Sequence, residues 1–250
     1  MDVSELFWNA SLDELKKGYV KDHEQYICLL CGKKFEEGII YSDEGVFYEA
    51  QRYMRVHIER VHKSVFEYLI QLDKKLTGLT NHQRSLLELF YQGKNDIQVQ
   101  KEMKIGSSST IRNHRFVLKE KERQAKVLLA IMELFKERDE YAPTFLDIHK
   151  TAKMVDERYN ITHEENEAVI KKYFPEGPDG SLKTFDIKEK ERLIVLRYIV
   201  KRIDREQIYS EKQINEILEK VYDDYVILRR YLIEYGFLDR KPDGSEYWRK

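Results

Sequence analysis

The sequence predicts a mainly α protein with small β-hairpins, divided among several modules. Three observations predict it. Charged residues make up 36% of the 250 and the hydrophobic set 42%, so apolar surface must lie in narrow helix stripes and not in one thick core. Those stripes recur at spacings of three and four residues over long stretches, which is the helical period. Only four prolines occur, and glycine and polar turns divide the chain into blocks, as expected of 250 residues at roughly 100–200 residues per domain, which suggests two or three domains.

The blocks are read as residues 1–76, 77–140, 141–161 and 162–250. The first holds both cysteines and three of the seven histidines, the second is helical, the third is a helical connector starting near Pro143, and the fourth ends in a hairpin. Net charge is −1 and the isoelectric point about 6.7, so no global field draws the chain to nucleic acid and any such affinity must come from local patches. Charge is uneven along the chain. Ser107 to Lys126 carries six bases and two acids, while Arg138 to Ile187 carries seven bases and eleven acids. The N-terminus has no basic start followed by an apolar run, and no segment approaches 18 uncharged apolar residues, so neither secretion nor membrane insertion is expected. Two cysteines are too few for a disulfide framework. A reducing cytoplasm is the expected compartment.

In the first block, Tyr26-x-Cys28-x-x-Cys31-x-x-x-Phe35 is followed by His57-x-x-x-x-His62. Two thiolates and two imidazoles are the soft and borderline ligands that zinc takes in tetrahedral sites. The pattern resembles the two-Cys, two-His zinc finger, including the aromatic two before the first cysteine and the Phe four after the second. The resemblance implies Cys28, Cys31, His57 and His62 as ligands of one structural zinc ion, with no coordination position left open for metal hydrolysis. The departure is the 25 residues between Cys31 and His57, against about 12 in the usual finger. Ile39 to Tyr48 reads as two short strands around a turn, leading into a helix from about Glu49. At about 100° per residue, His57 and His62 lie roughly 140° apart, so both can reach one ion only if the helix ends or loosens there. The competing reading is of reduced cysteines and histidines that merely line a helix. A redox pair lacks a thioredoxin-like strand–helix context.

In the second block, Thr80 is expected to cap a helix that closes at Gly93. Asn95 or Asp96 caps a short helix carrying Ile97, Val99 and Met103, and Lys104-Ile105-Gly106 turns into a third helix, roughly Ser107 to Lys121. Ile111 and Leu118 lie seven apart on its apolar side. Ser108, Thr110, Arg112, Asn113, Arg115 and Lys119 are the candidate DNA contacts, offering phosphate and base-edge donors. Here the chain resembles the LuxR-type helix-turn-helix family over about 45 residues, through the Leu79-Thr80 start, the glycine before the second helix, Ile105 before the turn, and Thr110-Ile111-x-x-His114-Arg115. The resemblance implies a three-helix unit whose third helix enters the major groove of double-stranded DNA. Asn81-His82 and Gln100 depart from the family's charged pair and small alanine. An amphipathic bundle whose bases solvate its outer face, or a sigma-factor-like segment that binds protein, would share much of this pattern. Beyond it, Ile111, Leu118, Ala125 and Met132 recur every seven residues, joined by Leu128 and Phe135. A continuing helix with that stripe can pair with its twin in a homodimer or pack on the chain itself.

In the fourth block, Thr162-His163-Glu164-Glu165 is a capping box. Asp186 is expected to cap a long helix carrying Leu193, Leu196, Val200 and Ile203. Tyr209-Ser210-Glu211 opens a helix with Ile214, Ile217, Leu218 and Val221 on one face. Asp223-Asp224 precedes a helix with Tyr225, Leu228, Leu232 and Tyr235 inside and Arg229 and Arg230 outside, closed by Gly236. Phe237-Leu238 and Tyr247-Trp248 then flank the turn Lys241-Pro242-Asp243-Gly244. Three helices and a hairpin give a winged-helix outline. Arg229, Arg230, Arg240 and Lys241 are secondary phosphate-contact candidates. The block resembles a domain family of unknown function found at the C-termini of bacterial regulator-like proteins. It does so through Tyr209 to Leu218, Asp224-x-x-x-Leu228-Arg229-Arg230-x-Leu232, Tyr235-Gly236-Phe237-Leu238-x-Arg240 and Tyr247-Trp248-Arg249.

No phosphate-cradling glycine loop and no nucleophile elbow occurs, so an enzyme is not expected. The expectation is a cytoplasmic, bacterial DNA-binding transcriptional regulator with a structural zinc ion. The alternative is an intracellular protein-interaction adaptor. A transcription-machinery partner fits either.

Overall fold

The computed structural model describes residues 3–250. These fall into two compact units. One joins Met1–Tyr68 with Thr144–Lys250, and the other is Leu69–Pro143.

The first unit opens with α1 (Val3–Asn9) and α2 (Leu12–Lys17), the latter started by a reciprocal Ser11/Glu14 capping box. Strands β1 (Tyr19–Asp22), β2 (Gln25–Cys28) and β3 (Lys34–Glu36) form an antiparallel sheet, with Tyr19 opposite Cys28 and Tyr26 opposite Phe35. A separate hairpin of β4 (Ile40–Asp43) and β5 (Val46–Glu49) follows. Its two-residue turn, Glu44 and Gly45, has φ of 48° and 80°, the left-handed pair that matches the twist of a tight hairpin. α3 (Ala50–His62) lays Met54 and Ile58 against Tyr19, Tyr26, Cys28 and Phe35 as a small core. The long interval between the second cysteine and first histidine is thus filled by β3 and the hairpin. α4 (Val65–Ile70) crosses the sequence boundary between units.

The second unit holds α5 (Lys74–Thr77), α6 (Asn81–Tyr91), α7 (Asp96–Glu102) and α8 (Ser108–Lys136). Capping boxes Thr80/Gln83 and Asn95/Gln98 start α6 and α7, and the Ser107 hydroxyl accepts the Thr110 amide at the start of α8. Leu86, Val99 and Ile111, one from each helix, meet in the core with Leu89, Phe90, Met103 and Ile105 around them. Three helices joined by short turns around one core have the outline expected of a helix-turn-helix unit. Ile97 faces solvent instead of the core. α8 does not stop near Lys121 but runs unbroken to Lys136.

The stretch 141–161, expected as a helical connector, contains no α-helix; its one regular piece is a 3-10 turn at Glu157–Tyr159. Tertiary pairing overrides local propensity there: Phe145 bridges Thr162, the Leu146 amide donates to Ile161, and the His163 amide donates to Thr144. α9 (His163–Tyr173) follows with its Thr162/Glu165 box, then α10 (Glu189–Ile199), extended by a 3-10 turn at Val200–Arg202. The residue that caps α10 is Lys188, without a side-chain bond, and not Asp186. β6 (Ile208–Tyr209), α11 (Glu211–Glu219), α12 (Tyr225–Glu234), β7 (Leu238–Arg240) and β8 (Tyr247–Arg249) complete the chain. The sheet order is β6-β8-β7, all antiparallel. Helix, strand, two helices and a hairpin, with the first strand paired to the last, is a winged-helix-like module. Leu193, Leu196, Ile214, Leu218, Leu228 and Leu232 are central to its core.

Candidate metal centre and candidate nucleic-acid interface

Cys28 ends β2 and Cys31 sits in the turn to β3. That turn is a knuckle. The Cys28 amide donates to the Lys33 carbonyl at 2.8 Å, and the Gly32 amide donates back to the Cys28 carbonyl at 2.8 Å. Gly32 sits at φ +86°, left-handed backbone that glycine adopts without strain. The histidines come from α3, which ends at His62 because Lys63 turns to φ 61°. His62 is thus the last residue of the helix. One donor atom from each of Cys28, Cys31, His57 and His62 lies within 4.8 Å of every other. A tetrahedral zinc ion with bonds of about 2.0–2.3 Å spaces its donors roughly 3.3–3.8 Å apart. The cluster can therefore hold a metal ion with shifts of about an ångström, and its donor set is compatible with zinc.

Two further observations fit a metal. His62 Nε2 is buried and makes no hydrogen bond among the described residues, a condition that costs free energy unless something else coordinates the nitrogen. The Cys31 thiol is held well below its ordinary range by the hydrogen bond from Cys28, and then by His57, whose Nε2 lies 3.2 Å from its sulfur. Cys28 is pushed up by the same Cys31 contact and by burial. Thiols bind a cation as thiolates, so the two neighbouring sulfurs form a donor pair that a metal ion would deprotonate. Phe35 packs edge-on against His57 at 5.6 Å, and Tyr68 against His62 at 5.8 Å. Burial and the two sulfurs push the Tyr68 phenol upward.

Lys150 reaches this knuckle from the irregular stretch after Thr144. Its side chain is buried, and its Nζ donates to the Leu29 and Leu30 carbonyls at 2.6 Å each. Those carbonyls lie between the two cysteines. The ammonium also stands 5.6 Å from the Phe7 ring centroid and 5.5 Å from that of Tyr68. Lys33 pairs with Glu206 at 2.9 Å within the same unit. The sequence reading missed Lys150 and Tyr68. Tyr68 had a local signal, an aromatic six residues beyond a ligand, but nothing near Lys150 in sequence marks a contact more than a hundred residues away.

In the second unit, Ser108, Arg112 and Asn113 stand exposed on the first turns of α8, where no described residue bonds the Arg112 or Asn113 side chains. Thr110 shares its hydroxyl with Ser107 at 3.0 Å. Lys119 pairs with Glu122 at 2.7 Å, an exposed contact of the kind that contributes little. Arg115 is committed differently from the sequence reading. Its guanidinium stacks 3.6 Å above the Phe90 ring centroid and its Nε donates to Asp96 at 2.8 Å, tying α8 to α6 and α7.

The secondary phosphate candidates divide in the same way. Arg229 is not outside: it pairs with Glu211 at 2.9 Å, bonds Asn215, and stands over the Tyr247 ring. Lys241 is paired with Glu246, while Arg230 lies over Tyr231 and Arg240 is exposed. Residues 181–249 match the sequence profile of a family described as "Uncharacterized protein conserved in bacteria (DUF2087)". The match covers the winged-helix-like module and not the rest of the chain. No curated protein and no solved structure matches the chain. Among the described residues no helix is long and apolar enough to cross a membrane.

Proposed function

We propose that this chain is a DNA-binding transcriptional regulator. The single observation carrying the reading is the start of α8 in the helix-turn-helix unit. Its exposed first turns present Ser108, Arg112 and Asn113 unengaged, on the segment where positive charge is concentrated. Asparagine and arginine are side chains that read adenine and guanine edges, and lysines further along the helix suit phosphates. Zinc held by Cys28, Cys31, His57 and His62 is structural in this reading, because four protein ligands leave no position for substrate. Catalysis plays no part in it. The cytoplasm, with a transcription-machinery partner, is the setting that follows.

Fluorescence anisotropy with mixed-sequence duplex DNA tests the reading. Wild-type binding should weaken with added salt as phosphate contacts give way to released counterions, and Arg112→Ala/Asn113→Ala should reduce it. Salt-independent binding, or equal binding by the variant, removes the helix-turn-helix from DNA. Absence of binding in both favours the protein-interaction adaptor.

A further inference from the structure

Among the described residues of its own unit, nothing covers the apolar face of α8 beyond Lys121. Every residue from Lys121 to Lys136 is exposed, a helical length of roughly 24 Å at 1.5 Å per residue. An isolated helix of that length is marginal in water and owes its stability to packing of an apolar face. Such a face is present. Val127, Leu128, Ile131, Leu134 and Phe135 are each 54–64% exposed. At about 100° per residue they fall within an arc of roughly 120°.

The repeat of Ile111, Leu118, Ala125 and Met132 is not this surface. Ile111 is buried in the helix-turn-helix core and Leu118 is half-buried beside it, so the upstream end of that stripe is already occupied. The distal arc points elsewhere on the helix. It meets an open apolar groove of about 1130 Å³ that runs along α8 past Leu79, Leu87, Phe116 and Ala125, with Leu128 common to both.

We infer that a second copy of this chain covers the distal half of α8, giving a two-fold homodimer with Val127, Leu128, Ile131, Leu134 and Phe135 at its seam. Charge argues for self-association. From Val127 to Phe135 the only charged residue is Glu133, on the opposite side of the helix and paired with Lys136 at 3.1 Å. Upstream, Arg123 pairs with Glu120 and Lys119 with Glu122. A strongly charged partner would find no complement on this face, whereas an isologous contact asks only that the patch suit itself. Size agrees as well. Five half-exposed side chains at about 100 Å² each give roughly 500 Å² per copy and 1,000 Å² for the pair, the threshold of a specific interface. The groove adds to that. The dimer stands independently of DNA binding; if both hold, two α8 starts are presented about one two-fold axis.

The test is the mass of the full zinc-loaded chain by sedimentation equilibrium from low-micromolar concentration upward. Wild type should approach twice the 30.1 kDa chain mass, and Leu128→Glu/Ile131→Glu should stay at one chain, its dissociation constant raised at least about a hundredfold. These side chains are exposed in the single chain, so zinc content and the unfolding transition of the other unit should be unchanged. An uncharged variant, Leu134→Ser/Phe135→Ser, should also be monomeric. Wild type that remains at one chain mass up to sub-millimolar concentration overturns the proposal, as does a dimer that both variants leave intact.

Discussion

Replacing Lys150 with methionine tests how the knuckle is held. Methionine keeps most of the buried stem but removes the ammonium that donates to the Leu29 and Leu30 carbonyls at 2.6 Å. Hydrogen bonds to a charged group contribute about 1.5–3 kcal/mol each, so the two carbonyl bonds alone account for roughly 3–6 kcal/mol. Against this, the variant no longer buries a charge, and the desolvation it is spared offsets a part. The expected net cost is about 2–4 kcal/mol, which for a unit of this size lowers the melting temperature by roughly 4–16 °C at 2–4 °C per kcal/mol. The carbonyls lie between the two cysteine ligands, so the knuckle should also lose preorganisation. Supporting groups of this kind typically change metal affinity about 10–100-fold. Competition with a zinc chelator measures affinity, and thermal unfolding of the zinc-loaded chain measures stability. A variant whose zinc affinity and melting temperature both match wild type would refute the reasoning, because the carbonyls would then have another source of donors.

Other outcomes follow from the same geometry. Purified protein should carry one zinc ion per chain and Cys28→Ser close to none; metal-free wild type that unfolds identically to the loaded chain would sink the zinc assignment. Gly236→Ala should be severely destabilising. The glycine sits at φ +84° and an added Cβ would lie 2.2 Å from the Thr151 carbonyl oxygen, so a cost of about 3 kcal/mol or more is expected by urea unfolding. Arg115→Ala should lower the stability of the helix-turn-helix unit by about 1 kcal/mol through loss of the Phe90 stack and the partly exposed Asp96 pair. Arg112→Ala should leave stability within about 0.5 kcal/mol. Equal effects of the two on unfolding would mean that Arg115 does not fasten α8.

What was legible in the sequence is what local chemistry determines. The capping boxes at Thr80, Asn95, Thr162 and Ser210 are written in residues three apart, and each forms. The Asp-Glu-Gly turn between β4 and β5 is set by two left-handed positions. The Cys28, Cys31, His57 and His62 cluster, which could hold a metal ion, was readable from residue type and spacing. The apparent conflict in that quartet, two histidines five apart on a helix, was a statement about where the helix ends. The helix ends at His62, with Lys63 leaving helical space one residue later.

Where sequence and structure part, the reason is that a side chain's surroundings depend on what it meets. Arg112 and Arg115 look alike in sequence, three positions apart on one helix. Only the latter lies over Phe90 and beside Asp96, so one faces solvent and the other is a fastener. Arg229 and Arg230 are adjacent, and the fold turns the first onto Glu211 and Asn215. The stretch 141–161 carries helical residue types but gives its backbone donors to partners across a bridge at Thr162. The heptad on α8 mixes positions used inside the unit with positions left outside it. Periodicity reports which residues share a face and is silent on whether that face is already covered. Ile111 is fully buried while Leu128 stays exposed on the same helix. For that reason the distal arc, and not the full heptad, is the part of α8 left uncovered among the described residues.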